Sequence, residues 1–296
     1  MTEPKIGVVG IPGKWSTETL ADALEARTGF RYIIDMADVC LDLTDRALWH
    51  KGVNLCELDG LIVKKISAEY SPHTLDRLEM LRVAEAEGVQ VFSGAENIIR
   101  LVDRLSCTIT LSNAGIPMPP TCVTEDHDAA FEAVKRFGSA VFKPLFSTKA
   151  RGMCVLEATT SDANLRKGIE DFTVLNPVMY LQKKMDLSGQ DLGMVFLAGN
   201  YLGTYARVSQ SQSWNTTIES GGKYAPFEPT AELIDLAQRA QAPFGLDFTT
   251  VDVALTPDGP IVFEVSAFGG FKGALEGAGL EVAGLYADHA ISKVTS

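Results

Sequence analysis

The sequence predicts a protein of α/β and α+β class, in which a parallel-sheet unit is followed by two lobes of mixed order. Three observations predict it. Short apolar strands alternate with helices through the first 95 residues, as βαβ units with a parallel sheet require. Strands and helices lose that regular alternation in the last two hundred residues, which argues against one continuous parallel sheet. Near the carboxyl end, two strands joined by Pro257-Asp258-Gly259 each carry one acid, Asp252 and Glu264, among valines.

The first strand is Lys5-Ile6-Gly7-Val8-Val9-Gly10, followed by a glycine-proline turn and a helix over 16–28. Strands follow at 31–36 and 60–65, and Leu61-Ile62-Val63 has the continuous apolar character of a strand covered on both faces. Ser71-Pro72 starts a helix that Gly88 ends, and 89–92 is the next strand. One long helix is predicted over 95–114, closed by Gly115-Ile116-Pro117. Then come strands at 120–123, 140–144, 153–156 and 178–184, with helices at 126–137 and 161–170. Extended segments at 191–197 and 200–209, a polar loop at 210–226, a helix at 230–243, the acidic hairpin and a helix near 280–294 complete the chain. There is no internal repeat and no low-complexity linker.

Composition narrows the function. A net charge of −12 without long runs of either sign disfavours a general nucleic-acid binder, because phosphate neutralisation needs a basic surface. The five cysteines are scattered and never spaced as Cys-x-x-Cys, which suits a reduced cytoplasmic protein better than bridges or zinc ligands. No apolar run is long enough for a membrane span, and the four histidines form no ligand-type pair.

Candidate sites stand out by chemistry. Side chains alternate along strands, so the hairpin turn places Asp252 and Glu264 near one another, with Ser266 on the face of Glu264. Carboxylates among valines are costly without a positive partner, and converging hard oxygens suit magnesium bridging phosphates. Two solvent-facing acids on an edge hairpin would give the same pattern. The glycines Gly7, Gly10 and Gly13 fit neither a P-loop nor a dinucleotide pattern and are read as a turn. Lys143 on an apolar strand asks for a carboxylate or phosphate, and the loop after it carries Ser147, Thr148, Lys149 and Arg151 before Gly152. Such hydroxyls, amides and cations can cover nucleotide phosphates, although a basic turn looks the same in isolation. The strand end Gln182-Lys183-Lys184 can offer backbone groups to an adenine edge, and Asp191 can take ribose hydroxyls. The loop from Arg207 to Tyr224, with Trp214, Asn215, Lys223 and Tyr224, is long and polar, as functional loops often are.

Taken in order, these pieces resemble the ATP-grasp superfamily over nearly the whole chain, and most closely its RimK-type amino-acid ligases. The resemblant residues are Leu61–Lys65, Ala95-Glu96-Asn97 through Asp103-Arg104, Gly115-Ile116-Pro117-Met118-Pro119-Pro120-Thr121, Lys143-Pro144-Leu145, Gln182-Lys183-Lys184, Asp191, Arg207, Asn215, Asp252, Glu264 and Ser266. The resemblance implies an ATP-grasp fold with an amino-terminal pre-ATP-grasp domain at 1–95, a central lobe at 96–184 and a carboxyl-terminal lobe at 185–296 carrying the metal site. It implies ATP and Mg2+ (or Mn2+) as cofactors, nucleotide contacts from Arg104, Lys143, Thr148, Lys149, Arg151, Gln182, Lys183, Lys184 and Asp191, metal ligands Asp252, Glu264 and Ser266, and catalysis by Arg207 and Asn215.

The chain departs from the family pattern in three respects. Lys149 and Arg151 stand in a loop that is usually glycine-rich, Arg104 replaces the usual lysine, and Ser266 replaces asparagine. The implied reaction activates a carboxylate as an acyl phosphate, which an amine then attacks to give an amide. The expected partners are a small-molecule or peptide carboxylate and an amino acid such as glutamate, in a homo-oligomer, with Trp214, Lys223 and Tyr224 as acceptor contacts. Two other readings use the same residues: an ATP-binding module without ligation, and an ATP-grasp kinase.

Overall fold

The computed structural model describes residues 3–148, 150–209, 218 and 221–296. Lys149, Trp214 and Asn215 therefore lie outside the described residues.

The amino-terminal unit is built on an all-parallel sheet of order β2-β1-β6-β7, from β1 (Ile6–Val9), β2 (Ile33–Ile34), β6 (Gly60–Val63) and β7 (Gln90–Phe92). Every residue of β1 and β6 is buried, which is why these strands read as unbroken apolar runs. The connecting helices are α1 (Trp15–Thr28) and α2 (His73–Ala86). Between β2 and β6 lies a small antiparallel sheet of β3 (Val39–Asp42), β4 (Ala47–His50) and β5 (Val53–Asn54), which the sequence did not announce. Its strands are too short, and too mixed in exposure, to leave a clean period of two.

The single helix expected over 95–114 is two, α3 (Ala95–Val102) and α4 (Arg104–Asn113). Asp103 breaks it: its backbone is extended, and its carboxylate accepts from the amide of Leu105 at 3.1 Å as the cap of α4. That break puts Arg104 at the entry of the central lobe, where its amide donates to the Leu145 carbonyl.

The central lobe is an antiparallel sheet of order β10-β9-β11-β8, from β8 (Thr121–Thr124), β9 (Ser139–Lys143), β10 (Cys154–Glu157) and β11 (Met179–Lys183). Helices α5 (His127–Phe137) and α6 (Asp162–Thr173) cover it, capped by Asp126 and Ser161. The last lobe is an antiparallel sheet of order β14-β13-β12-β15-β16, from β12 (Gln190–Leu197), β13 (Asn200–Val208), β14 (Lys223–Pro226), β15 (Phe248–Thr256) and β16 (Gly259–Ser266). Its helices are α7 (Ala231–Gln241), α8 (Phe271–Ala278) and α9 (Val282–Thr295). Strand β14 falls inside the segment read as polar loop, and α8 is a helix that the sequence reading did not place.

The cores are divided unequally. Two clusters join the parallel sheet to the last lobe: Val9, Leu61 and Val91 share one with Leu192 and Val253, and Ile6, Leu20 and Phe92 share the other with Phe248, Phe271 and Tyr286. The central lobe packs on itself, around Phe131, Phe142, Leu165 and Phe172. A latch reinforces the first union. The Ser93 amide donates to Asp247 at 2.5 Å, His289 pairs with Asp247 at 2.9 Å, and Arg27 donates to Asp288 at 2.5 Å.

Candidate active site

The hairpin forms as expected. Asp252 and Glu264 are direct cross-strand partners, and two positions along, Thr250 faces Ser266. The register slips between Asp252 and Val253, leaving Phe263 as the extra residue of a bulge. A bulge re-aims a side chain, so Phe263 lines the cleft beside Glu264, not the opposite face as strict alternation would require. Burial pushes the Asp252 carboxyl up to about 6, with the Arg207 charge opposing and the carboxylates of Asp191 and Glu264 adding to the rise. Two crowded carboxylates and a hydroxyl, all hard oxygen donors, fit a divalent cation such as Mg2+.

Arg207 stands over this pair. It is the cross-strand partner of Asp191, to which it gives a forked ion pair, and its Nη2 also lies 2.9 Å from Asp252 Oδ2. Burial works against the guanidinium charge, but Asp252 and Asp191 outweigh it and hold the group well above its usual range. In the adjoining row Gly193 sits between Tyr205 and Asp252. A methyl group at Gly193 would lie 2.3 Å from the Tyr205 ring, so the bare backbone lets that ring cover the sheet.

The facing wall belongs to the central lobe. Lys143, 9% exposed at the end of β9, donates to Gln182 Oε1 at 2.5 Å, and its ammonium lies 5.3 Å from the Phe263 ring centre. Gln182 in turn donates to Thr121 at 3.0 Å, which fixes the amide orientation. Burial lowers Lys143 to about 7, with Arg104 adding to the fall and Glu264 opposing it. Arg104 reaches from α4 to the Pro144 carbonyl at 3.2 Å and to Glu264 at 3.5 Å, tying the entry helix to both walls.

Between the walls lies a cleft of about 590 Å³. Of the residues expected at the site, Arg104, Lys143, Thr148, Gln182, Lys183, Lys184, Asp191, Arg207, Asp252, Glu264 and Ser266 all line it, as does Tyr224. Arg151 is drawn elsewhere: its Nη1 pairs with Glu69 of the amino-terminal unit at 2.8 Å, and its Nη2 donates to Thr148. Both partners are largely exposed, and such pairs contribute about 0.2–1 kcal/mol. Glu69→Gln is therefore expected to free Arg151 and to change the apparent nucleotide affinity by less than about fivefold in a fluorescence titration.

Sequence reasoning missed Lys65, Tyr70 and Lys272, which line the cleft together with Phe268. Lys65 lies 4.6 Å from the Tyr70 ring centre, and Tyr70 meets Phe268 edge to face at 6.1 Å. The paired lysines that follow β6 were the local signal. The glycines of the first turn stay out of the cleft: the Gly13 amide is taken by Glu18 at 2.6 Å, as expected of a structural turn.

A family model described as the RimK-like ATP-grasp domain matches residues 102–289. The chain belongs to the RimK-like ATP-grasp family. Its reaction class is ATP-dependent joining of a carboxylate to an amine, forming a carbon–nitrogen bond. The tetrahydromethanopterin:alpha-L-glutamate ligase of Methanosarcina acetivorans is 25% identical over 264 residues, covering 84% of this chain and 82% of that protein. A probable alpha-L-glutamate ligase of Teredinibacter turnerae is 27% identical over 279 residues, covering 93% of this chain and 90% of its own. Among solved structures, the ATP-grasp ligase PsnB complexed with a phosphomimetic variant of minimal precursor, Mg and ADP superposes with a TM-score of 0.76 at 18% identity, covering 99% of this chain and all of the other. D-alanyl-alanine synthetase A from Vibrio cholerae gives the same TM-score at 16% identity over the full length of both chains. These superpositions establish the ATP-grasp fold. No helix among the described residues is long and apolar enough to cross a membrane.

Proposed function

We propose that this RimK-like ATP-grasp protein joins an amino acid, with glutamate the first candidate, to a small-molecule or peptide carboxylate through an acyl phosphate, in the cytoplasm. The observation that carries the reading is Arg207, braced between Asp191 and Asp252 at the metal-type hairpin and facing the buried Lys143 across the cleft. ATP would lie between the two lobes, with its adenine edge at Gln182-Lys183-Lys184 and its phosphates toward Lys143, Thr148 and Lys149. Asp252 and Glu264 would hold Mg2+, with Ser266 completing the set through water, and the ion would offset phosphate charge when bound. Lys143, itself buried, gives a charge-assisted hydrogen bond to a phosphate oxygen. Arg207 donates to the oxygens of the acyl phosphate and of the tetrahedral adduct that follows amine attack.

Asp191, expected at the ribose, serves first to orient Arg207, since it takes a forked pair from that guanidinium. Asn215, as second catalytic residue, and the division at 95 and 184 are carried over from the family pattern. Little covalent help is needed from the protein, because catalysis comes from alignment and charge stabilisation. The test is mass spectrometry of the products formed with ATP, Mg2+ and a matrix of amino acids and carboxylates. Amide formation with stoichiometric ADP is expected. A stable phosphorylated product would make the protein a kinase instead, and ATP binding without turnover would leave only a binding module.

A further inference from the structure

Lys64 is the last residue the expected chemistry would use, because it lies beneath the cleft and not in it. It follows β6, is 4% exposed, and makes no ion pair with a carboxylate among the described residues. A buried ammonium without a counter-ion is costly, so its contacts matter. Its Nζ donates to the Gly269 carbonyl at 2.8 Å and the Phe268 carbonyl at 3.4 Å, and it sits 4.3 Å from the Phe271 ring centre. Burial lowers the group to about 7. These carbonyls belong to the loop that directly follows Ser266, whose hydroxyl accepts from the Phe268 amide at 3.3 Å.

Peptide planarity turns this into a consequence for the cleft. A carbonyl and the next residue's N–H point in opposite directions across a trans peptide. With the carbonyls of Phe268 and Gly269 aimed down at Lys64, the amides of Gly269 and Gly270 are aimed up, and both glycines line the cleft. Neither amide donates to a protein group among the described residues. Gly269 is also pressed on Thr250, the partner of Ser266: an added methyl group would fall 2.3 Å from its Cγ2. The loop is thus fixed from below by Lys64 and from the side by Thr250.

We propose that Lys64 is a positioning residue for ligation, reaching from the amino-terminal unit to set the two peptide planes after Ser266 so that their N–H groups face the reacting groups. The assignment rests on the ligase reading of the same cleft. It explains why a cation with no carboxylate is kept between Phe248 and Phe271, and it makes the amino-terminal unit part of the chemistry.

The test compares Lys64→Met, which keeps the stem over Phe271 and removes the donor, with Lys64→Gln, which keeps a shorter uncharged donor. In Lys64→Met, kcat is expected to fall about 10–100-fold, the cost of misplacing groups by about an ångström. The Kd for a non-hydrolysable ATP analogue with Mg2+ should stay within about twofold, and Lys64→Gln should recover part of kcat. The crystal structure of Lys64→Met should show at least one of the two peptides rotated. Unrotated peptides would overturn the proposal, whether or not the protein proves to be a ligase, as would full kcat in Lys64→Met. A parallel loss of nucleotide binding would also overturn it, because the lysine would then be a general support. If Lys64→Met does not fold, Lys64→Leu, which also removes the donor, carries the same three readouts. A wild-type protein that releases no ADP with any amine would sink the ligase reading alone, leaving the peptide planes as the measure of Lys64.

Discussion

Arg207→Met should all but abolish turnover while leaving Mg2+·nucleotide binding intact or tighter. The first half follows from its place: removing one preorganised donor to a developing oxyanion typically lowers kcat by about 10²–10³. The second follows from the ion pairs. Arg207 neutralises Asp252, and without it Asp252 and Asp191 present uncompensated negative charge to a divalent cation. Without Mg2+ the same change is destabilising, because breaking a buried ion pair strands its partners at about 3–5 kcal/mol. The lower end is expected, since about a fifth of the Arg207 and Asp252 side chains reaches solvent. Urea unfolding with and without Mg2+ and a steady-state ADP assay check both halves. Wild-type turnover in the variant would remove Arg207 from the mechanism.

Lys143→Met should have effects of opposite sign on binding and stability. A hydrogen bond to a charged partner contributes about 1.5–3 kcal/mol, so ATP affinity should fall about 10–150-fold in a calorimetric titration. The nucleotide-free protein should nevertheless gain stability, since the ammonium is buried against a neutral amide and methionine fills similar space. The pH dependence has a definite sign. Lys143 and Lys64 titrate at about 7 in the folded protein, from an ordinary value of 10.5. The unfolded chain therefore holds more protons between about 7 and 10.5, and nucleotide-free stability rises with pH across that window. The penalty is complete below 7, and Lys143→Met should remove part of the slope. A phosphate beside Lys143 restores its charge, so ATP binding at pH 8 should take up a proton that the variant does not. Equal heats in buffers of different ionisation enthalpy would contradict this.

The acidic hairpin was legible because everything that defines it is local: a period of two, a turn tripeptide and acids in place of apolar residues. Lys143 was legible for the same reason, as a cation inside an apolar strand. The broken helix at Asp103 was hidden, because a cap in the middle of two helical stretches is also a tolerable helix residue. The place of Phe263 in the cleft was hidden because a bulge cannot be read from one strand alone. Lys64 and Arg151 were beyond local reading altogether: their partners, Gly269 and Glu69, lie 205 and 82 residues away. The fold class and most of the charged lining of the cleft thus follow from pattern, and the bracing of that lining follows only from tertiary contact.

The self-contained interior of the central lobe has a consequence for how such a molecule can change over time. Phe131, Phe142, Leu165 and Phe172 belong to a cluster whose members, among the described residues, all lie in the central lobe. A lineage can therefore remodel that cassette, or receive another, without disturbing the rest of the scaffold. The parallel sheet and last lobe have no such liberty, because they share their cores: Phe92 of the one and Phe248 of the other both pack on the Tyr286 ring. Novelty in what the enzyme grips should accumulate on the independent cassette, while the half that holds the acids drifts slowly.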